Sequence, residues 1–232
     1  LALALERYGF FDLLREKGFD DFLISFDTAS STRHVFRLHS GERRPERLLI
    51  EVAACIRPLY PPDGEECRVL RVEWLLMQDP SSAFSLEQPP LPGQDYPGLG
   101  LFRWFGELLR LVAMRLECDG LSNQPQHYHN GHLYGKVMTF FHPEDEGLLR
   151  ALDRDLLTRD RLTLAEATRA VDQGRVIDEA TGEPIRWEMR AQVLPITLRL
   201  SPYFIADSYR SQVIAAQETR RFRVVDDPCS IA

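Results

Sequence analysis

The feature that most constrains this chain is a glycine-rich turn between a strongly apolar strand and a strongly apolar helix. The turn covers residues 92–100 (PGQDYPGLG), after a predicted strand at 68–78 and before a predicted helix at 101–116 that is apolar on nearly every face. A helix start leaves backbone N–H groups free and carries the positive end of the helix dipole. Because glycines let an anionic group approach this backbone closely, the turn predicts a phosphate-binding position.

The segments around this turn predict a sheet. Short runs of β-branched and aromatic residues indicate strands in a mixed, mostly antiparallel sheet flanked by helices, an α/β fold of the α+β type. A first amphipathic helix is expected to end near Gly18. The predicted strands are 21–27, 34–39, 47–59, 68–78 and 137–141, with 119–124 as a short turn or strand and 127–136 as a brief helix or polar loop.

The last third of the chain is more polar and predicts elements peripheral to a core at residues 21–141. Thr163 and Glu166 have the spacing of a capping box, which marks the start of a surface helix. No repeat or linker divides the chain, so residues 1–232 are interpreted as a single domain. The peripheral elements are helices at 143–157 and 163–174 and a hairpin at 175–200, with its turn at 181–184 and its returning strand at 187–200.

Composition narrows the classes of partner and location. The chain has a net charge of −7, so no overall positive field favours nucleic acid or an anionic membrane. Its four cysteines form no CxxC pair, which argues against a disulfide framework and a cysteine-based zinc site. No apolar run is long enough to span a bilayer, and the first residues lack the features of a signal peptide. A cytoplasmic protein is therefore expected.

Three apolar segments have two interpretations. The first helix and the aromatic segments 102–105 and 202–204 would serve equally well to cover the core or to form a homodimer face.

The order of elements and two short motifs resemble the GNAT superfamily of CoA-dependent acyltransferases. The resemblance covers about residues 21–141. In that family the turn reads (Gln/Arg)-x-x-Gly-x-(Gly/Ala), and a later helix often carries a Leu-Tyr-x-Lys segment. The matching residues are Gly98, Leu99 and Gly100 in the turn and Leu133, Tyr134 and Lys136 in the later segment.

The resemblance implies a co-substrate and roles for several residues. The co-substrate is acetyl-CoA or another acyl-CoA, the acceptor is an amine of a small molecule or an amino group, and no metal is expected. Tyr134 is expected to protonate the departing thiolate, and a gap between splayed strands beside the turn would admit the pantetheine arm. The expected cofactor-binding residues are Gln94, which stands one position earlier than the family pattern, Gly98, Leu99 and Gly100.

Acyl transfer to an amine also needs a base, for which Glu73 is one candidate. Glu73 lies in the middle of the strand before the turn, where burial would raise the pKa of its carboxyl group. Strand alternation places it on the same face as Arg71, Leu75 and Met77. A salt bridge with Arg71 or Arg68 is the alternative role for this carboxylate.

Histidines supply a second candidate base and a different hypothesis. In the acyltransferase interpretation, His127 and His129 line the acceptor pocket, His129 serves as a neutral base, and Tyr128 stacks on or bonds the acceptor. Alternatively, the HxHxxH pattern of His127, His129 and His132 predicts a metal-binding protein or hydrolase. It resembles the HxHxDH signature of metallo-β-lactamase-like hydrolases, with Gly131 in place of the Asp.

A third hypothesis is a non-catalytic binding module that keeps an acyltransferase-like fold. The turn carries Asp95, whose charge repels a pyrophosphate, and Pro97, which lacks an amide hydrogen. These two residues leave the binding module open as an alternative.

Overall fold

The structure, a computed structural model, describes residues 2–62 and 64–226. The helices are α1 (Ala2–Arg7), α2 (Phe10–Glu16), α3 (Phe102–Arg115), α4 (Tyr128–Tyr134), α5 (Pro143–Leu152), α6 (Leu164–Asp172), α7 (Ser201–Ile205) and α8 (Asp207–Thr219), with a π-helical segment at Asp153–Arg159 after α5. The strands are β1 (Phe22–Asp27), β2 (Arg33–Ser40), β3 (Leu48–Leu59), β4 (Cys67–Met77), β5 (Gly120–Asn123), β6 (Thr139–Phe140), β7 (Val176–Asp178), β8 (Gln192–Pro195) and β9 (Phe222–Val224).

The main sheet contains seven strands in the order β1-β2-β3-β4-β5-β8-β6. All of its neighbouring strands are antiparallel except β4 and β5, which are parallel. Parallel neighbours need a crossover connection, and α3 with the glycine-rich turn before it supplies this connection. The predicted α+β fold, with a mixed and mostly antiparallel sheet flanked by helices, is confirmed.

The main core packs one face of this sheet against helices. Ile50, Val52 and Leu70 contribute apolar side chains from β3 and β4, and Phe105 of α3 packs with them. Although the sequence of α3 is apolar on nearly every face, the helix is not buried all round, because Trp104 on its outer side is 55% exposed. The helix is amphipathic and covers the sheet on one side only.

A β-bulge interrupts β4 at Glu73. Ala53 of β3 pairs with Trp74 and Ala54 pairs with Val72, so Glu73 is the extra residue on its strand. The parallel pairing of β4 with β5 ends at Val72, immediately before the bulge. A bulge bends its strand and increases the local twist, which separates the rest of β4 from β5. A gap therefore opens in the sheet beside residues 73–77.

The same bulge changes the face to which each β4 side chain points. Leu70 and Val72 are buried in the main core, and Leu75 and Met77 also pack against it. The core positions therefore change from even to odd numbers across the bulge, as an extra residue requires. The prediction that Glu73 shares a face with Leu75 and Met77 is wrong.

The C-terminal third contains the predicted peripheral helices, with changes in the strands. The capping box of Thr163 and Glu166 is present at the start of α6. The turn near Gly182 forms, but β7 pairs mainly with β9 near the end of the chain. The predicted returning strand over 187–200 is reduced to β8, which lies between β5 and β6 in the main sheet. Neighbouring strands far away in sequence therefore decide the extent of β8.

The aromatic segments mostly serve the core. Phe105 is buried in the main core, and Tyr203 and Phe204 pack against Phe141 on the other side of the sheet. Within residues 2–62 and 64–226, no helix has both the length and the apolar character needed to cross a bilayer.

Close packing at Gly131 fixes the position of α4. A Cβ atom on Gly131 would lie 2.6 Å from the Trp187 ring, which is held by a 3.0 Å hydrogen bond from its Nε1 to the Pro125 carbonyl. Gly106 of α3 is a matched control, because no described heavy atom lies within 4 Å of an added Cβ there.

We expect Gly131→Ala to lower the free energy of unfolding by about 1–3 kcal/mol, because the methyl group overpacks the contact with Trp187. Gly106→Ala should raise it by about 0.5–1 kcal/mol through helix propensity. Urea denaturation of both variants measures the difference. A Gly131→Ala variant as stable as Gly106→Ala would contradict the rigid contact.

Candidate functional site

Two adjoining cavities form a continuous groove across the gap in the sheet. The larger has a volume of about 860 Å³ and lies between β4, β5, α3 and α4. The smaller, of about 410 Å³, lies between the end of β4, the glycine-rich turn and α4. Residues such as Leu75, Phe102 and Tyr134 line both cavities, so the groove leads from the turn into the gap.

The glycine-rich turn closes the far end of the gap. Gly98 forms an isolated β-bridge with Gln78, and the Asp79 N–H donates to the Pro97 carbonyl at 2.7 Å. The side chain of Leu99 is buried in the core and anchors the turn. Gly100 has a φ of 69°, a left-handed conformation that favours glycine. The turn is therefore a fixed edge of the smaller cavity.

The expected cofactor-binding residues all border the smaller cavity, but Gln94 has a local role. Its Oε1 atom accepts a hydrogen bond from the Leu91 N–H at 3.0 Å, which closes the turn on itself. Gly98, Leu99 and Gly100 border the cavity together with Asp95. The carboxylate of Asp95 therefore borders the expected phosphate position, where its negative charge is unfavourable, as the sequence predicted.

The start of α3 and two cations provide positive charge along the groove. The first helical turn contains Arg103 and no acidic residue, and its leading N–H groups have no partner within the helix. Arg103 and Lys136 line the larger cavity. Neither forms an ion pair with any residue in the described part of the chain. These charges are therefore available to an anionic ligand.

Tyr134 lies where the two cavities meet. Its ring stacks on Phe102 with 5.1 Å between the centroids, and it packs against the main core. Burial raises the pKa of the Tyr134 phenol above its usual range. The hydroxyl is therefore protonated throughout the neutral pH range and is able to donate a proton.

Glu73 forms ion pairs with arginines of the neighbouring strands. Its Oε2 accepts from Arg33 Nε at 3.0 Å, and its Oε1 accepts from the Cys55 thiol at 3.1 Å and lies 3.6 Å from Arg57 Nη2. The hydrogen bond from Cys55 lowers the pKa of Glu73, and Arg33 and Arg57 lower it further. Glu73 would act as a general base only with a raised pKa. Its pKa is lowered instead, so the structure contradicts the expected role of Glu73 as the base. Glu73 does form ion pairs, but the expected partners Arg71 and Arg68 are wrong, because Arg33 and Arg57 take their place.

His127 and His129 border the smaller cavity with the glycine-rich turn, which places them at the turn end of the groove. Their rings stack with 5.4 Å between centroids, and His127 Nδ1 lies 3.0 Å from Asp172 Oδ2. His129 is buried, and its Nδ1 has no hydrogen-bond partner among the described residues. Burial, reinforced by the neighbouring His127, lowers the pKa of His129 to about 4. His129 is therefore a neutral imidazole but a weak base.

Tyr128 and His132 point away from the groove. Tyr128 is fully buried in a second core, and its hydroxyl donates to Asp153 Oδ1 at 2.6 Å. His132 Nδ1 lies 3.0 Å from the other oxygen of Asp153. The expected contact of Tyr128 with an acceptor is contradicted, because its side chain packs inside the second core and lines neither cavity.

The three histidines of the HxHxxH pattern do not converge. His127 bonds to Asp172, His132 bonds to Asp153, and His129 is buried without a polar partner at Nδ1. In the described part of the chain, no group of three or more His, Cys, Asp or Glu side chains is arranged to hold a metal ion. The structure therefore gives no support to the metal-dependent alternative.

The residues that bond to Glu73, His127, Tyr128 and His132 were not predicted from the sequence. Arg33 and Arg57 lie on different strands from Glu73, and Asp153 and Asp172 lie beyond the segment that resembles the GNAT superfamily. The sequence feature that could have indicated the arginine partners of Glu73 was the alternation of charged residues along β2 and β3. It becomes informative only with the strand register, which local sequence does not supply.

Comparison with known proteins adds little to this geometry. No protein-family model matches the sequence, and no curated protein matches it significantly. Among solved structures, a chain of the KacTA-DNA complex is similar, with 15% sequence identity and a TM-score of 0.31. The alignment covers 47% of this chain and spans 59% of the length of that chain. Similarity at this level decides neither activity nor partners.

The environment of His129 gives a testable titration. We expect its imidazole to stay neutral until the pH falls to about 4, as followed by NMR of the ring carbons. His127→Ala should raise the pKa of His129 because it removes a repelling charge, yet leave it below 6.5 because burial is the larger cause. His132→Ala is the control, and it should leave the pKa of His129 unchanged. An ordinary titration near pH 6.5 in the unmodified protein would contradict the buried position.

Proposed function

We propose that this protein transfers an acyl group from acyl-CoA to an amine. The observation that carries the proposal is the continuous groove that starts at the glycine-rich turn, enters the gap between β4 and β5 and passes Tyr134. A groove of this length suits an extended ligand with an anionic end and a reactive end. Acyl-CoA has this form, with phosphates at one end and a thioester at the other.

The sheet supports this proposal through its resemblance to the GNAT superfamily. The crossover helix α3 joins two parallel strands, and these strands separate after Val72. In that superfamily, a gap at the equivalent place admits the pantetheine arm. The order of elements and the position of the gap therefore agree with the motif at Gly98 to Gly100 and with the segment that contains Tyr134.

Phosphate groups would bind at the turn end of the groove. The free N–H groups of the first turn of α3 and the positive end of its dipole favour an anion there. Arg103 and Lys136 add two positive charges beside the groove, which offset the negative charge of Asp95 in the turn. The departures of the turn from the family motif are therefore compensated by cations outside it.

Tyr134 is the residue proposed to act in the chemical step. Bound acyl-CoA supplies an activated acyl group, which the amine nitrogen attacks at its carbonyl carbon. The new C–N bond forms as the C–S bond breaks, and the Tyr134 hydroxyl donates its proton to the departing sulfur. The amine gives up a proton to water, and water restores the proton of Tyr134. A raised pKa keeps this phenol protonated until it is needed.

Glu73 has an electrostatic role in this proposal. Because its pKa is lowered, the carboxylate stays ionised at neutral pH and holds Arg33 and Arg57 beside the gap. His129 is a weak base at the other end of the groove, so it is assigned to binding near the turn. The acceptor amine is therefore expected to lose its proton to solvent.

The first test is binding of acetyl-CoA, measured by thermal shift. Ligand at about 100 times its Kd should stabilise the protein by about 2.7 kcal/mol. We expect Gly98→Asp to weaken this binding, because it adds a negative charge at the turn, and Gly98→Asn to weaken it less. An added Cβ would be 3.8 Å from the Met77 carbonyl, so both variants fit the backbone. No stabilisation of the unmodified protein by CoA or acetyl-CoA would reject the proposal.

The second test is turnover by Tyr134→Phe, followed by thiol release. Loss of a general acid should lower kcat about 100-fold or more. The affinity for CoA should change little, because the phenylalanine ring keeps the stacking contact with Phe102. Tyr8→Phe, at a position that is 55% exposed, is the matched control and should behave like the unmodified protein. CoA binding without turnover in the unmodified protein would indicate a non-catalytic binding module instead.

A further inference from the structure

One row of residues crosses four strands of the sheet on the face opposite the main core. Strand register places Arg33 of β2, Cys55 of β3, Arg71 of β4 and Ser122 of β5 side by side. Residues directly opposite each other on neighbouring strands share a face. On β5 the row reaches Ser122, which lines the larger cavity. A ligand bound by this row would therefore lie next to the gap between β4 and β5.

This face has an excess of positive charge, although the chain as a whole has a net charge of −7. On β2, β3 and β4 it carries four arginines and two carboxylates. Glu51 pairs with Arg37, and Glu73 pairs with Arg33 and Arg57. Among the residues that the structure describes, Arg71 has no ion-pair partner. The four arginines are Arg33, Arg37, Arg57 and Arg71.

Two donors in the row have no acceptor among the residues that the structure describes. The Nε atom of Arg71 is buried and makes no hydrogen bond within the described residues. Ser122 is 1% exposed, and its Oγ also lacks a partner there. Buried polar groups are almost always hydrogen-bonded, and an unsatisfied donor costs free energy. A ligand that accepts hydrogen bonds from both groups would remove this cost.

The chemistry of the missing partner follows from these donors. A guanidinium binds carboxylate and phosphate oxygens most strongly, in a planar and often bidentate arrangement. A neutral amine would leave Arg71 and Ser122 unsatisfied. Trp74, which is 39% exposed and lines both cavities, adds an apolar surface beside the row. The site therefore matches an organic molecule with an anionic group.

We infer that the acceptor is an amine that also carries a carboxylate or phosphate group, and that Arg71 and Ser122 bind this anionic group. The inference rests on the proposed acyl transfer for the role of the amine, which would then point into the gap beside Tyr134. Amino acids and phosphorylated amines share this chemistry. Arg71 is thus a specificity-determining residue, because it strengthens the binding of amines that carry an anionic group over that of neutral amines.

The test is calorimetric titration at low ionic strength with two matched pairs of amines, in the absence of CoA. L-Phenylalanine and 2-phenylethylamine differ by a carboxylate, and phosphoethanolamine and ethanolamine differ by a phosphate. We expect the anionic member of at least one pair to bind about ten-fold more tightly. Arg71→Gln should remove this preference, and Ser122→Ala should reduce it. The pair that shows the preference identifies the anionic group.

Arg115→Gln is the matched control, because Arg115 is exposed at the end of α3, far along the helix from the turn. It should keep the preference of the unmodified protein. Ser122→Ala is a second variant in case Arg71→Gln fails to fold, since the Ser122 Oγ makes no hydrogen bond with any described residue that the fold would lose. Absence of a preference in both pairs, or its survival in both variants, overturns the inference. Because the titration contains no CoA, this failure is distinct from a failure to bind acetyl-CoA.

Discussion

The site depends on the bulge that separates β4 from β5. One extra residue at Glu73 ends the parallel pairing after Val72, and the remaining part of β4 diverges from its neighbour. The bulge bends β4 at the point where its pairing with β5 ends, and the groove crosses the sheet there. The bulge also turns the carboxylate of Glu73 away from the core and towards Cys55 and Arg33. A single irregularity of the backbone therefore sets both the shape of the groove and the charge beside it.

Burial and charge then assign different properties to side chains around the groove. Burial raises the pKa of Tyr134 and lowers that of His129, because both environments favour the neutral form. The thiol of Cys55 and the neighbouring arginines instead favour the charged form of Glu73. A protonated phenol, a neutral imidazole and a charged carboxylate thus lie at different places along one groove. This separation is why Tyr134, and neither Glu73 nor His129, is proposed to move a proton.

Much of the fold followed from local sequence, and much of the site did not. The strands near the predicted positions, the position of α3 and the capping box at Thr163 depend on periodicity and spacing within short segments. The partners of Glu73, Tyr128 and His132 depend on residues from other elements. Neither the hydrogen bond from Tyr128 to Asp153 nor the full burial of its ring has a local signature. The metal hypothesis gains no support for this reason, since spacing in sequence does not make the imidazoles converge in the described part of the chain.

The sequence by itself determined the class of the fold and the place of the glycine-rich turn, because strand alternation, helix periodicity and turn residues act over a few positions. It also placed Tyr134 on a short helix after that turn. Only the tertiary structure decided that the turn and Tyr134 border one groove, and that the bulge puts Glu73 among arginines. The shared groove and the position of Glu73 among arginines both depend on the strand register. Register is set by packing across the whole sheet, so no single segment of the chain contains it.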